Sequence, residues 1–155
     1  MNLKYLIGAF ASLLAISAKA ETSIETSVPV GQKSPLTLDI QGLRAPRGKL
    51  VVSVFADAKA FPSDPAKAVA KQEIEINQTE MRVSFKDLPA GDYAIALHHD
   101  ENSDGKMSYN FVGMPKEGFG FSRNGKVIFG PPSFADAKLS VSEEGTKAEI
   151  KMKYF

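Results

Sequence analysis

The sequence contains no cysteine and no tryptophan. Without cysteine, disulfide frameworks, thiolate nucleophiles, zinc–thiolate sites and lipid attachment at an N-terminal cysteine are excluded. Lys and Arg number 19 against 18 Asp and Glu, so the net charge is +1 and the basic excess of a nucleic-acid-binding protein is missing. The composition is otherwise ordinary, with 43% hydrophobic and 24% charged residues. A chain of 155 residues predicts one folded domain.

One uninterrupted apolar run stands at the N-terminus and has the pattern of an export signal. Lys4 precedes an apolar stretch over residues 6–17, and Ala18-Lys19-Ala20 fits the small-x-small rule for cleavage. The stretch is too short to span a membrane comfortably, and no stop-transfer segment follows it. We therefore predict a signal peptide over 1–20, a periplasmic or secreted bacterial protein, and no stable membrane insertion after cleavage. An uncleaved membrane anchor is the alternative.

Most of the remaining chain shows the two-residue hydrophobic alternation of half-buried strands. It begins at Leu36, and a run at 50–55 that is apolar on both faces indicates a central strand. Further alternating segments lie at 73–76, 81–86, 93–99, 139–142 and 148–154. The pattern predicts an all-β, antiparallel two-sheet β-sandwich of about seven strands. Residues 21–34 are predicted to be a loose arm before a single domain over 35–155.

The segment from Asp100 to Asp136 lacks this alternation. It holds five of the ten phenylalanines, Phe111, Phe119, Phe121, Phe129 and Phe134. Long loops in compact domains tend to be functional or to pack as a unit, and aromatic residues argue against disorder. We predict one long ordered loop whose phenylalanines form a platform for an envelope protein or a glycan. The alternative is that the rings pack inward and cap one end of the sandwich.

The start of this loop matches the first half of an EF-hand calcium loop, D-x-[DN]-x-[DN]-G. Asp100, Asn102 and Asp104 place side-chain oxygens at alternate positions of a tight turn, where they can converge on one Ca²⁺. The Lys106 carbonyl would be the next ligand.

The second half of the calcium motif is absent. Phe111 stands where an EF-hand has a bidentate Glu, and a strand rather than a helix is predicted before the loop, so an EF-hand is excluded. A strand-terminal calcium site would need Glu117 or Asp136 to complete its ligands. The alternative is an Asx-rich turn that satisfies its own backbone without a metal.

His98 and His99 are the only histidines. Neighbouring residues on a strand point to opposite faces, so the two cannot bind one ion together. One of them could join Asp100 and Glu117 in a metal-dependent hydrolytic site, although a strand-end His is more often capped by a nearby oxygen. No nucleophile elbow, phosphate loop or H-E-x-x-H motif is present. We predict a non-enzymatic binding module, with a small metal-dependent hydrolase or a purely structural envelope assembly factor as alternatives.

Several longer motifs resemble a known bacterial family. They are Leu88-Pro-Ala-Gly-Asp-Tyr93, His99-Asp-Glu-Asn-Ser-Asp-Gly-Lys106, Asn110-Phe-Val-Gly-Met-Pro-Lys-Glu-Gly-Phe-Gly-Phe-Ser122 and Phe129-Gly-Pro-Pro-Ser-Phe-Ala-Asp-Ala137. These segments are similar to the secreted family catalogued as domain of unknown function 2141, over residues 36–154. The resemblance implies an exported β-sandwich in the style of prealbumin-like and other immunoglobulin-like modules. It implies no activity, because a fold alone does not specify one.

Overall fold

The computed structural model describes residues 33–155, so the predicted signal peptide and nearly all of the predicted arm lie outside the described residues. The strands in this range are β1 Lys33–Gln41, β2 Lys49–Phe55, β3 Ala70–Glu75, β4 Met81–Pro89, β5 Gly91–Asp100, β6 Gly118–Phe121, β7 Leu139–Val141 and β8 Thr146–Lys151. Within the same range, helix is confined to two 3₁₀ turns, Pro65–Lys67 and Ser122–Asn124, and to α1, Phe134–Ala137. No helix within 33–155 is long and apolar enough to cross a membrane. The all-β prediction is confirmed.

The strands form two sheets, and most neighbours are antiparallel. A 3-stranded sheet has the order β4-β1-β8, and a 5-stranded sheet has the order β3-β2-β5-β6, with β7 also paired to β5. β1 and β8 run parallel, so the predicted antiparallel pairing holds for the other strand pairs but not for this one. Side chains alternate between the two faces in parallel and antiparallel strands alike. The alternation in the sequence therefore does not predict whether two neighbouring strands run parallel or antiparallel.

One hydrophobic core lies between the two sheets. Alternate residues of β1, β4 and β8 point inward and pack against alternate residues of β2 and β5. The fully buried members include Leu36, Leu38, Ile40, Leu50, Val52, Val54, Ile95 and Ile150. Each such side chain contributes about 1.5–3 kcal/mol relative to an exposed one. The two-residue period of the sequence therefore assigns the inward face of these strands.

A strand that the alternation did not reveal lies inside the predicted long loop. β6 has the sequence Gly-Phe-Gly-Phe, and glycine weakens the pattern of a strand. A Cβ on Gly118 would lie 2.3 Å from the Tyr154 ring, and one on Gly120 would lie 3.1 Å from Ile150. Both glycines are needed for this close packing. Residues 33–155 consequently form eight strands where about seven were predicted, and the long loop is divided in two.

The outer face of the 5-stranded sheet is covered over one half. Phe55 and Ala94 are fully buried there beneath the segment that follows β2. Phe61 packs edge-to-face on Phe55 at 5.5 Å between ring centroids, and Phe134 packs on Phe61 at 6.1 Å. The other half of this face, around His98, is open, and the candidate site lies on it.

Candidate functional site

A groove of about 820 Å³ crosses the open half of this sheet. The strand register places its floor in two rows. One row contains Glu73, Val51, His98 and Phe119, and the next contains Lys71, Ser53, Ala96 and Phe121. Outward-facing residues of adjacent strands lie side by side, so four strands contribute to one surface.

Two loops form walls of the groove, and the first of them is a hairpin over residues 108–116. The Lys116 N–H donates to the Ser108 carbonyl and the Asn110 N–H to the Met114 carbonyl, both at 2.9 Å. The Asn110 side-chain oxygen accepts hydrogen bonds from the N–H groups of Val112 and Met114, at 3.0 and 2.9 Å. The hairpin is therefore held by its own hydrogen bonds. The second wall is the segment 127–131.

The two sides of the groove differ in chemistry. On the β6 side, Phe119 and Phe121 lie 5.9 Å apart between ring centroids, and Met114 lines the hairpin wall. On the β3 side, Lys71 Nζ lies 2.7 Å from a Glu73 carboxylate oxygen. The hydrogen bond from Lys71, and then its charge, lower the pKa of Glu73. A ligand in the groove meets an apolar wall on one side and a closed ion pair on the other.

His98 is the titratable side chain at the centre of the floor. Its Nε2 lies 3.1 Å from a carboxylate oxygen of Glu117, and a carboxylate accepts, so Nε2 donates. Glu117 is 5% exposed and also accepts hydrogen bonds from the N–H groups of Glu101, at 3.2 Å, and Ser108, at 3.0 Å. Glu117 thereby orients His98 and fastens the chain before the hairpin to β5.

His99 lies on the opposite face of β5, within the core. Its Nε2 lies 2.9 Å from the Arg47 carbonyl oxygen and its Nδ1 lies 2.7 Å from the Tyr154 hydroxyl. A carbonyl only accepts, so Nε2 donates and Nδ1 accepts from Tyr154. Burial raises the pKa of this Tyr154 hydroxyl, and the N–H of Arg44 acts against the rise. Both ring nitrogens of His99 therefore serve the fold, and the ring takes no part in the groove.

The candidate calcium ligands form a turn closed by hydrogen bonds. The two carboxylate oxygens of Asp100 accept from the N–H groups of Asp104, at 3.2 Å, and Gly105, at 2.8 Å. Asn102 donates to Asp104 at 2.9 Å, and the Lys106 N–H donates to Asp104 at 2.8 Å. The Lys106 hydrogen bond, followed by that of Asn102, lowers the pKa of Asp104. Side-chain oxygens of the turn therefore accept hydrogen bonds from N–H groups of the same turn, as predicted for an Asx-rich turn without a metal.

The two residues expected to complete a calcium site have other partners in the structure. Glu117 faces His98, and Asp136 lies in α1, where Ser133 donates to its carboxylate at 2.6 Å. Among residues 33–155, no group of three or more His, Cys, Asp and Glu side chains is placed to hold a metal ion. Calcium binding by this turn stays a prediction.

The five candidate ligand-binding phenylalanines occupy three environments. Phe111 and Phe129 are completely exposed, at 99% and 103%. Phe119 and Phe121 line the floor of the groove, Phe129 also belongs to its second wall, and Phe134 packs against Phe61 outside it. Two rings therefore face solvent, as an aromatic platform requires, and the other three pack against the protein, as the alternative prediction states.

Sequence reasoning did not identify the part of the groove floor that β2 and β3 contribute. Val51, Ser53, Lys71 and Glu73 belong to it. The alternation assigns these side chains to one face of each strand, but it does not say which strands are neighbours in a sheet. A sequence signal does exist, since the run 50–55 is apolar on both faces. Val51 therefore places an apolar side chain on the face of β2 that is turned away from the core.

Comparison with known proteins gives a match over most of the described chain. Residues 38–149 match a protein-family model described as an uncharacterized protein conserved in bacteria (DUF2141). The matched range contains both rows of the groove floor and both of its loop walls. No curated protein and no solved structure matches the chain.

Proposed function

Because the chain belongs to the DUF2141 family of uncharacterized bacterial proteins, we propose its function from the geometry of the groove. The protein is an exported, non-enzymatic module of immunoglobulin-like or prealbumin-like type that binds an apolar segment of an envelope protein. The groove carries this proposal, since its volume of about 820 Å³ lies in the range of pockets that bury most of a drug-sized ligand. Export rests on the leader pattern of residues 1–20.

The chemistry of the lining favours a peptide over a glycan. Sugar hydroxyls need hydrogen-bonding side chains that are free to pair with them, but Lys71 and Glu73 pair with each other and Asp100 pairs with backbone N–H groups. The opposite wall offers Phe119, Phe121 and methionine side chains. Aromatic residues and methionine are enriched where proteins bind apolar segments of other proteins.

A metal-dependent hydrolase has one observation in its favour, the hydrogen bond between His98 and Glu117. The other residues of that proposal are engaged elsewhere, since His99 faces the core and Asp100 closes the turn. A purely structural assembly factor would leave the groove without a ligand. The peptide-binding module is therefore the proposal that uses the most observations.

Calcium remains part of the proposal as a ligand that orders the turn over residues 100–106. Binding at tenfold excess over its dissociation constant would stabilise the fold by about 1.4 kcal/mol. Millimolar Ca²⁺ should then raise the melting temperature of the wild type but not that of Asp104→Ala. An unchanged melting temperature of the wild type would remove calcium from the proposal.

Peptide selection tests the groove directly. The full chain is expressed in a bacterium, purified, and used to select from a phage library of random 12-residue peptides, and it is also applied to an array of bacterial glycans. We expect selected peptides rich in aromatic and aliphatic residues. Val51→Lys, which places a charged side chain on the floor, should weaken the best peptide at least about tenfold, the equivalent of about 1.4 kcal/mol.

Thr37→Lys is the matched control, since Thr37 is also a β-branched residue on an outward face, but on the 3-stranded sheet. It should bind the selected peptide as the wild type does. Binding of glycans without peptides would overturn the peptide proposal, as would equal binding by Val51→Lys and Thr37→Lys.

A further inference from the structure

We propose that the protein docks on the surface of an anionic lipid bilayer through two loop tips. The first tip comprises residues 109–114 of the hairpin, and the second comprises residues 127–129. Phe111 and Val112 lie outside the lining of the groove. Tyr109, Ile128 and Phe129 also line the groove, so the two proposals share these side chains. The inference goes beyond peptide binding because Phe111 and Val112 serve the tips alone.

The two tips expose large apolar side chains to an unusual degree. Their exposed fractions are 99% for Phe111, 62% for Val112, 59% for Tyr109, 71% for Ile128 and 103% for Phe129. The segments that carry them wall one groove, so the tips lie on one side of the molecule. Apolar patches of this kind on a folded domain mark sites of interaction with a protein or a membrane.

Hydrogen bonds within the hairpin hold the first tip in its exposed conformation. The Asn110 side chain accepts two N–H groups of the tip, and the Gly113 N–H donates to the Asn110 carbonyl at 3.0 Å. Gly113 has φ +81°, a conformation that favours glycine. These bonds fix the backbone in a form that points Phe111 and Val112 away from the protein, so the apolar surface is presented before any partner arrives.

The charges around the tips identify the partner. Lys106 and Lys116 bracket the first tip, and Arg123 and Lys126 precede the second. All four are exposed, and neither 106–116 nor 122–133 contains a carboxylate. The excess of positive charge is local to the tips, because the net charge of the whole sequence is only +1. The carboxylates that flank these segments in sequence are those of Asp104 and Asp136, which are exposed, and Glu117, which is buried against His98.

Apolar tips with lysines at their base match the layers of a bilayer surface. Aromatic and aliphatic side chains enter the boundary between head groups and acyl chains, while lysine side chains extend to the anionic head groups. Each cation near such a surface strengthens binding about fivefold. A protein–protein interface would instead surround its apolar centre with a rim of polar groups that form hydrogen bonds to the partner. The proposed docking is peripheral, because only the two loop tips meet the lipid.

Vesicle flotation tests the proposal. The purified protein is mixed with vesicles of phosphatidylcholine and phosphatidylglycerol at a ratio of about 7 to 3, or with phosphatidylcholine alone, and centrifuged at low and high salt. We expect it to float with the anionic vesicles and to be released as salt screens the lysines. Phe111→Ser and Phe129→Ser should each weaken binding at least about tenfold, and Lys126→Glu at least about fivefold.

Two matched controls lie away from the tips. Val69→Ser removes another exposed apolar side chain, which is 55% exposed, and Lys147→Glu reverses an exposed charge on β8. Neither should change flotation. Every altered side chain is exposed, so thermal melting should show all variants folded.

Absence of flotation with anionic vesicles would overturn the proposal, as would equal losses in Phe129→Ser and Val69→Ser. A wild type that never floats while Phe111→Ser loses the selected peptides would assign the tips to a protein partner. Val51→Lys separates the two proposals, because it should lose peptide binding and keep vesicle binding. Loss of one activity alone then tells which proposal has failed.

Discussion

At the scale of single residues, the pair His98 and His99 shows how the strand period gives one residue type two environments. Consecutive side chains of β5 point to opposite faces, so one ring reaches the groove and the other reaches the core. His98 keeps partial exposure and one protein partner, Glu117. His99 is fully buried and uses both nitrogens. Stability should therefore depend on the second histidine far more than on the first.

Replacing His99 should be costly. His99→Phe removes this partner from the Arg47 carbonyl and the Tyr154 hydroxyl in a part-buried site, and the Tyr154 hydroxyl keeps only the Arg44 N–H. A buried polar group left unsatisfied costs about 1–3 kcal/mol. We expect a loss of at least about 2 kcal/mol in the free energy of unfolding by urea. The matched variant His98→Phe should lose less than half as much, since Glu117 retains its two N–H donors. Equal losses would contradict the assignment of His99 to the core.

The carboxylate of Glu101 should make stability depend on pH. Burial acts to raise the pKa of Glu101, but hydrogen bonds from Arg47 and Arg44 outweigh it, and the pKa lies below its usual value of 4.5. The folded state thus favours the charged form. The stabilisation is complete above the usual pKa and is lost as the pH falls through the lowered value.

Glu101→Gln tests this dependence. At neutral pH the variant should be less stable by about 1.5–3 kcal/mol, the range for hydrogen bonds to a charged group. The difference from the wild type should shrink as the pH falls below 4.5. Melting temperatures of both proteins between about pH 3 and pH 7 measure it. A constant difference over that range would show that ionisation of Glu101 does not stabilise the fold.

At the scale of elements, the strands with alternating residues were predictable and β6 was not. Leu36, Leu38 and Ile40 reveal β1 because a half-buried strand needs only a period of two. β6 needs glycine at 118 and 120 because Tyr154 and Ile150 occupy the space above it, and those contacts join residues far apart in the chain. Local sequence therefore identifies which residues form most strands, while the parallel neighbour of β1 and the groove floor depend on tertiary pairing.

Two short strands, β6 and β7, pair with different parts of the same edge of β5. β7 pairs with residues 91–93 and β6 with residues 96–99, which leaves residues 94–95 without a strand partner on this edge among the described residues, while β2 pairs with them on the other edge. The Ser122 hydroxyl fills this gap, since it accepts from the Ile95 N–H at 2.9 Å and donates to the Ala137 carbonyl. It thereby acts in place of a strand residue and joins α1 to the sheet.

Ser122→Ala should cost about 1–3 kcal/mol, because the buried Ile95 N–H loses its partner. Ser142→Ala is the matched control, as Ser142 donates to Gly145 in an exposed turn and its loss should cost less than about 0.5 kcal/mol. Urea unfolding measures both. Hydrogen exchange at Ile95 should accelerate in the first variant, and an unchanged rate there would contradict this role of Ser122.

At the scale of the whole molecule, one face of the 5-stranded sheet makes the core and the other is only half covered. The covered half is sealed by Phe55, Phe61 and Phe134, and the open half forms the groove. The walls of that groove end in the two exposed tips, so a protein lying on a bilayer through its tips would hold the groove beside the lipid. The apolar segment that it binds would then come from an envelope protein at the membrane surface.

The absence of tryptophan makes this orientation measurable, because one introduced tryptophan is the sole indole in the chain. In Phe129→Trp, anionic vesicles should shift the emission to shorter wavelength, since the indole leaves water for the boundary of the acyl chains. In Phe121→Trp the selected peptide should produce the shift and vesicles alone should not, because that residue lines the groove. Val69→Trp should respond to neither. A vesicle response at 69 as large as that at 129 would contradict the orientation, because it would show that the lipid meets the protein without selecting the tips.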